Sequence, residues 1–189
     1  MAERTEICLS GSGGQGLILA GIILADAAIR DGRSVVQSQS YGPEARGGAS
    51  RAEVIIGGDE LDYPKISSPD ILLAMSQEAS DKYLKRVRKE GMAVLDSTYV
   101  GFPAVNGIKI YHVPISSTAI TSLGREMMAN MVALGALVKL TGIVGRDSIE
   151  EAVRARVPVG SLDLNLSALE MGRELALELL FPQQELTKR

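Results

Sequence analysis

Six residues near the start of the chain, Gly11-Ser12-Gly13-Gly14-Gln15-Gly16, restrict the fold more than any other segment. They follow Thr5 to Ser10, a short apolar stretch that reads as a strand. They precede Leu17 to Ile29, which is almost continuously apolar and rich in helix formers. Gly11, Gly13 and Gly16 fit the spacing G-x-G-x-x-G in the strand-to-helix setting that the pattern requires, where bare amides at a helix N-terminus could receive phosphate oxygens. The same glycines equally serve a ligand-free role, a tight turn with close helix–sheet packing. Asp31-Gly32 closes the helix and Ser34 to Gln39 resumes as a strand, giving a Rossmann-like βαβ start. Leu17, Ile18, Leu19, Ile22, Ile23 and Leu24 cover too wide an arc for one sheet-facing stripe, which predicts a second burying surface on this helix.

Further strands are predicted over Ala52 to Ile56, Asp70 to Met75, Met92 to Asp96 and Lys109 to Val113. An amphipathic helix is predicted over Glu78 to Glu90, ended by Gly91, and a broadly apolar one over Gly124 to Leu140. Two C-terminal helices follow, with Ser148 and Glu151, and Ser167 and Glu170, spaced as capping boxes. Alternating strands and helices without a linker or repeat give an α/β fold, a single three-layer α/β/α domain over residues 1–189 with a central, mostly parallel sheet.

Composition removes most function classes. A formal charge of −3 offers no basic excess for a nucleic-acid backbone or an anionic membrane, so no nucleic acid is expected as a partner. The longest apolar stretch, Met127 to Val144, is interrupted by Asn130, Lys139 and Thr141 and falls short of the ~20 residues of a membrane span, so no membrane is expected either. The polar start Met1-Ala2-Glu3-Arg4 lacks a secretory signal, which predicts a cytoplasmic location. One cysteine, Cys8, and one histidine, His112, cannot furnish a disulfide, a four-cysteine iron–sulfur cluster or a multi-histidine metal site, and leave little for a catalytic triad. No catalytic residue and no metal ligand is therefore assigned. His112 reads as a strand histidine, Cys8 as a small buried residue, Asp96 as a capping or turn residue, and Met127, Met128 and Met131 as filler of a core or interface.

For a dinucleotide, the second strand should end in an acidic residue that holds the ribose, yet it reads Val35-Val36-Gln37-Ser38-Gln39. A freestanding NAD-dependent dehydrogenase is thereby reduced to an alternative. The loop Ser40 to Arg51 would lie beside the glycine turn if the first two strands pair in parallel; Arg46 and Arg51 could then clamp a phosphate or carboxylate, with Tyr41, Gly47 and Gly48 beside them. The candidate binding set is Gly11, Gly13, Gly14, Gln15, Gly16, Tyr41, Arg46, Gly47, Gly48 and Arg51. A solvated arginine loop, and a purely structural glycine turn in a docking domain, remain the plainer readings.

At these segments the chain resembles the gamma subunit of 2-oxoacid:ferredoxin oxidoreductases, of the pyruvate/ketoisovalerate oxidoreductase gamma type. The resemblance rests on Gly11 to Gly16, Gln39-Ser40-Tyr41-Gly42-Pro43-Glu44-Ala45-Arg46-Gly47-Gly48-Ala49-Ser50 and Asp62-Tyr63-Pro64. Downstream it rests on Asp70-Ile71-Leu72-Leu73-Ala74-Met75-Ser76-Gln77-Glu78-Ala79 and Asn130-Met131-Val132-Ala133-Leu134-Gly135-Ala136-Leu137. Cys8-Leu9-Ser10 leads into the turn where pyruvate-type relatives carry a basic or histidine-containing lead, which favours the 2-oxoglutarate enzymes; a pyruvate or branched-chain 2-oxoacid enzyme is the alternative. The resemblance implies oxidative decarboxylation of 2-oxoglutarate with coenzyme A to succinyl-CoA and carbon dioxide, with ferredoxin as acceptor. It implies alpha, beta and ferredoxin-like delta partner subunits, with thiamine diphosphate, magnesium and iron–sulfur clusters held there. Coenzyme A is then a shared ligand, the isolated chain is inert, and a homodimer of the isolated chain is a further expectation. If Arg46 serves coenzyme A, Arg46→Ala in the assembled complex raises the KM for coenzyme A; an unchanged KM with intact 2-oxoglutarate decarboxylation removes Arg46 from that role.

Overall fold

The computed structural model describes residues 4–40, 50–58 and 66–182. Its strands are β1 (Thr5–Gly11), β2 (Ser34–Ser40), β3 (Ser50–Gly57), β4 (Ile71–Ala74), β5 (Met92–Asp96) and β6 (Lys109–Val113), and they form one sheet in the order β2-β3-β1-β4-β5-β6. β1, β4, β5 and β6 run parallel, whereas β3 pairs antiparallel with both β1 and β2. The mostly parallel sheet and the strand–helix–strand opening are as expected. The pairing inside that opening differs, because β3 lies between β1 and β2.

The helices are α1 (Leu17–Arg30), α2 (Gln77–Tyr83), α3 (Ile115–Leu123), α4 (Ala129–Thr141), α5 (Arg146–Arg156) and α6 (Leu162–Leu180). Strand alternation sends Ile7, Leu9, Val54, Ile56 and Leu73 into the core under α1 and α4, and Cys8, Leu72, Ala74, Ala93 and Leu95 into a smaller core under α2. The wide apolar arcs of α1 and α4 are covered within the chain: α5 packs on α1, and α6 on α4.

Several predicted boundaries move, each for a physical reason. The helix expected over Glu78 to Glu90 ends at Tyr83 in a 3-10 turn, Leu84–Arg86. Seven helical residues rise about 10 Å, close to the roughly 13 Å of a four-residue strand. A thirteen-residue helix would overshoot the start of β5 by several ångströms on the same arithmetic. The return is fixed by Arg88 N–H donating to the Pro69 carbonyl at 3.0 Å and Glu90 N–H to the Gly107 carbonyl at 2.7 Å. The helix expected over Gly124 to Leu140 starts later: Gly124 caps the C-terminus of α3, Glu126–Met128 form a 3-10 turn, and α4 begins at Ala129.

Neither expected capping box forms. Ser148 lies inside α5 and its hydroxyl meets Asp31 at the end of α1, which also accepts from Gly145 N–H at 2.7 Å. The start of α5 is thus capped from another helix rather than from its own sequence. Ser167 lies well inside α6, whose first turn is held by Asn165 Nδ2 donating to the Ser161 carbonyl at 2.8 Å.

α4 and α6 cross with their backbones in contact. A Cβ on Gly135 would lie 2.8 Å from the Leu169 carbonyl carbon, and one on Gly172 would lie 2.8 Å from Ala136 N, with carbonyl oxygens closer still. A side chain at either position forces the helices apart. Gly172→Ala is expected to lower the unfolding free energy by about 2–3 kcal/mol in urea melts. Gly160→Ala, whose added methyl meets nothing within 4 Å, should leave the midpoint near the wild-type value.

Cys8 is 2% exposed. Burial pushes its thiol up to about 12, with Arg51 and Arg86 pulling it back and Glu53 pushing further. The unfolded chain therefore loses this proton first, so the stabilisation is complete below the ordinary value of 9.0 and is lost as pH rises from there towards about 12. Iodoacetamide at pH 8 should leave the native thiol unmodified by mass spectrometry and modify it fully once urea unfolds the chain.

Candidate functional site

In a parallel sheet, ligands gather outside the carboxyl ends of the strands, at the point where successive crossovers take opposite directions. Here that point falls between β1 and β4, since the chain leaves β1 through α1 towards the β2 edge and leaves β4 through α2 towards β6. A crevice of about 400 Å³ opens there, lined by Ser12, Gly13, Gln15, Met75, Ser76, Tyr99 and Glu126. A second hollow of about 190 Å³ adjoins it, sharing Gln15 and Glu126 and adding Gly14, Ser116, Met127 and Ala129.

The glycine turn divides into two kinds of position. Gly11 and Gly16 are packing glycines. A Cβ on Gly11 would meet Leu17 Cδ1 at 2.9 Å and crowd the Gln15 amide, and one on Gly16 would meet Asn130 Nδ2 at 2.5 Å. Gly16 also sits at a φ of 72°, which only a residue without a Cβ adopts cheaply, and its carbonyl accepts from Asn130 Nδ2 at 3.2 Å. Gly13 and Gly14 are open, with nothing within 4 Å of either Cβ position. Among the described residues neither of their amides has a hydrogen-bond acceptor. Gln15 is committed to the fold: its Oε1 accepts from Ser12 N–H at 2.7 Å and its Nε2 donates to the Met75 carbonyl at 3.1 Å.

The remaining candidates separate from this turn or fall outside view. Tyr41, Arg46, Gly47 and Gly48 lie outside the described residues. The loop's far end does reach the turn, since Ser50 pairs with Gly11 and its hydroxyl donates towards the Gly11 and Ser12 carbonyls, each at 3.3 Å. Arg51 faces the α2 side, where its guanidinium lies 3.4 Å from Glu53 and 5.4 Å from the centre of the Tyr83 ring. Its charge is engaged there rather than over Gly13 and Gly14. With β3 interposed, the end of β2 stands about 10 Å from β1. Gln37 and Gln39 are thus displaced from the place where a dinucleotide ribose would be read.

Tyr99, Glu126 and Ser116 line these hollows without a short motif, and with Asp96 and Asn130 they are brought together only by the fold. Asp96, fully buried, accepts from Thr98 N–H at 3.1 Å and from Ser116 N–H at 3.3 Å, securing the start of α3 as a turn-and-cap residue. Tyr99 OH donates to Glu126 Oε1 at 2.6 Å across the mouth, and that hydrogen bond raises the Tyr99 pKa above its ordinary value. Ser116 Oγ and Asn130 Oδ1 are buried and find no hydrogen-bond partner among the described residues. The one available signal was Asn130, which opens the quoted segment ending at Leu137. His112, in β6, packs against the tilted ring of Phe102 with centroids 4.2 Å apart, and burial lowers its pKa, in keeping with a neutral strand histidine.

Another cavity, of about 210 Å³, lies between α4, α5 and α6 over Val138, Val144, Ile149 and Leu169. Around it Arg146 pairs with Glu150 at 2.9 Å and Arg173 with Glu170 at 3.1 Å, while Lys139 lines the cavity beside them. No group of three or more His, Cys, Asp or Glu side chains arranged to hold a metal ion occurs among the described residues, and no helix among them is long and apolar enough to cross a membrane.

Comparison with known proteins agrees with this geometry. The profile of the family described as pyruvate ferredoxin/flavodoxin oxidoreductase matches residues 6–175. The chain is 47% identical over 182 residues to the 2-oxoglutarate synthase subunit KorC of Methanothermobacter thermautotrophicus, covering 93% of this chain and 96% of that one. Among solved structures it matches a keto/oxoacid ferredoxin oxidoreductase gamma subunit from Geobacter sulfurreducens with a TM-score of 0.86 and 48% identity, covering 93% of this chain and 98% of that one. It also matches the 2-oxoglutarate:ferredoxin oxidoreductase of Magnetococcus marinus, solved with 2-oxoglutarate, coenzyme A and succinyl-CoA bound, with a TM-score of 0.83 and 26% identity over 93% of this chain but 31% of that one. With its sheet, its crevice and nearly its whole length accounted for, the chain belongs to the pyruvate ferredoxin/flavodoxin oxidoreductase family.

Proposed function

We propose that this chain is the gamma subunit of a cytoplasmic 2-oxoglutarate:ferredoxin oxidoreductase and that it contributes the Gly13–Gly14 turn to the binding of coenzyme A. The observation that carries the reading is the near-complete match to a 2-oxoglutarate synthase subunit, covering almost all of both chains. The reaction converts 2-oxoglutarate and coenzyme A to succinyl-CoA and carbon dioxide, and passes two electrons to ferredoxin. Thiamine diphosphate with magnesium supplies the carbanion stabilisation and iron–sulfur clusters carry the electrons, all within the alpha, beta and delta chains.

What this chain adds is a backbone cradle. Two amides without acceptors among the described residues, ahead of a fourteen-residue helix, can each donate to a diphosphate oxygen, and the helix dipole favours the negative charge. The open space at Gly13 and Gly14 permits the close approach this needs. Exposed apolar side chains support a partner surface: Met127 and Tyr99, which line the two hollows, are 67% and 44% exposed. The Magnetococcus chain, of which this fold matches under a third, is a relative in which the same unit is continuous with further protein.

Three measurements test the proposal. The tagged chain should copurify with thiamine- and cluster-bearing chains, and the complex should turn over 2-oxoglutarate in preference to pyruvate and branched-chain 2-oxoacids. Gly13→Ala adds a methyl into open space and so spares the fold, yet it should raise the KM for coenzyme A on the order of tenfold with little change in kcat. Turnover by the isolated chain with a soluble nicotinamide, or an unchanged KM in Gly13→Ala, would overturn the corresponding half.

A further inference from the structure

A ligand in the crevice meets two chemistries on opposite sides. One is the pair of donating amides at Gly13 and Gly14. The other is a run of acceptors on the α3–α4 side. Glu126 stands between the two hollows, with Oε1 taking the Tyr99 hydroxyl at 2.6 Å and Oε2 without a partner among the described residues. Asn130, next in the chain to the crevice-lining Ala129, ties this side to the glycine turn through Nδ2, which donates to the Gly16 carbonyl at 3.2 Å. Ser116 lines the same hollow with its hydroxyl unpaired.

Acceptors call for donors. A phosphate in contact with Glu126 would set like charges together, whereas hydroxyl and amide N–H groups would satisfy its free Oε2. Coenzyme A offers each of these groups in a fixed order: a ribose bearing a 3′-phosphate, the diphosphate, and then a pantetheine arm with a hydroxyl and two amides. Resting on the assignment of the diphosphate to Gly13 and Gly14, we infer that Glu126 is a specificity-determining residue that orients coenzyme A, accepting from the hydroxyl and amides of the pantetheine arm and turning the 3′-phosphate away. Tyr99 is a positioning residue, which holds the carboxylate across the mouth.

The test compares coenzyme A with 3′-dephospho-coenzyme A in the assembled complex. Glu126→Gln, an exchange at an exposed position, should raise both KM values on the order of tenfold and by the same factor, because it weakens the arm that the two ligands share. Tyr99→Phe keeps the charge but frees the carboxylate, and should raise both by a smaller, again equal, factor. A selective fall in the KM for coenzyme A in Glu126→Gln would place the 3′-phosphate against the carboxylate and overturn the orientation, as would no change with either ligand. Gly13→Ala in the same assay separates the two readings. If it raises KM while Glu126→Gln does not, only the orientation falls; if Gly13→Ala has no effect, the diphosphate assignment falls and the orientation with it.

Discussion

The Gly11–Gly16 turn is fixed from three directions, and the rest of the crevice depends on that restraint. Ser50 reaches it from β3, the Gln15 amide ties it to the end of β4 through the Met75 carbonyl, and Asn130 reaches it from the first turn of α4. Each contact comes from a different element, so an antiparallel strand, a parallel strand and the helical layer all meet at one reversal of the chain. Ordering a glycine-rich segment carries a large entropic cost, and buried hydrogen bonds from three elements offset it. What remains outside the restraint is Gly13–Gly14, whose amides stay presented because their neighbours are held.

Much of this could be read from the chain before any coordinates. The strands announce themselves as runs of Ile, Leu and Val between turn residues, and the glycine spacing at 11, 13 and 16 identifies the crevice. The insertion of β3 is different in kind, since nothing local in Ser50 to Gly57 says which neighbours it pairs with. α3 was equally silent, because Ser116, Ser117, Thr118 and Thr121 are weak helix formers, and three of them are held by bonds to carbonyls of the preceding turn or of Pro114.

The division of the turn into packing and open glycines depended on partners far away in sequence. Gly16 is constrained by Asn130, and Gly11 by a glutamine whose far end rests on Met75. A spacing motif treats these positions alike, and only the fold distinguishes them. Arg51 illustrates the converse. Its type and its nearness to the turn suggested a phosphate clamp, yet strand alternation put its side chain on the opposite face, because Ser10 and Arg51 are cross-strand partners directed towards α2.

On that face Glu53 is 5% exposed and balanced by Arg51, with Ser38 Oγ donating to its other oxygen at 3.2 Å. Removing one member of such a buried pair strands the other, which typically costs ~3–5 kcal/mol, while replacing both by apolar groups of similar volume is often neutral. Positions 51 and 53 are therefore bound to one evolutionary fate. A lineage can drift away from this pair through a compensated double exchange, but each single step on the way crosses a valley of lowered fitness.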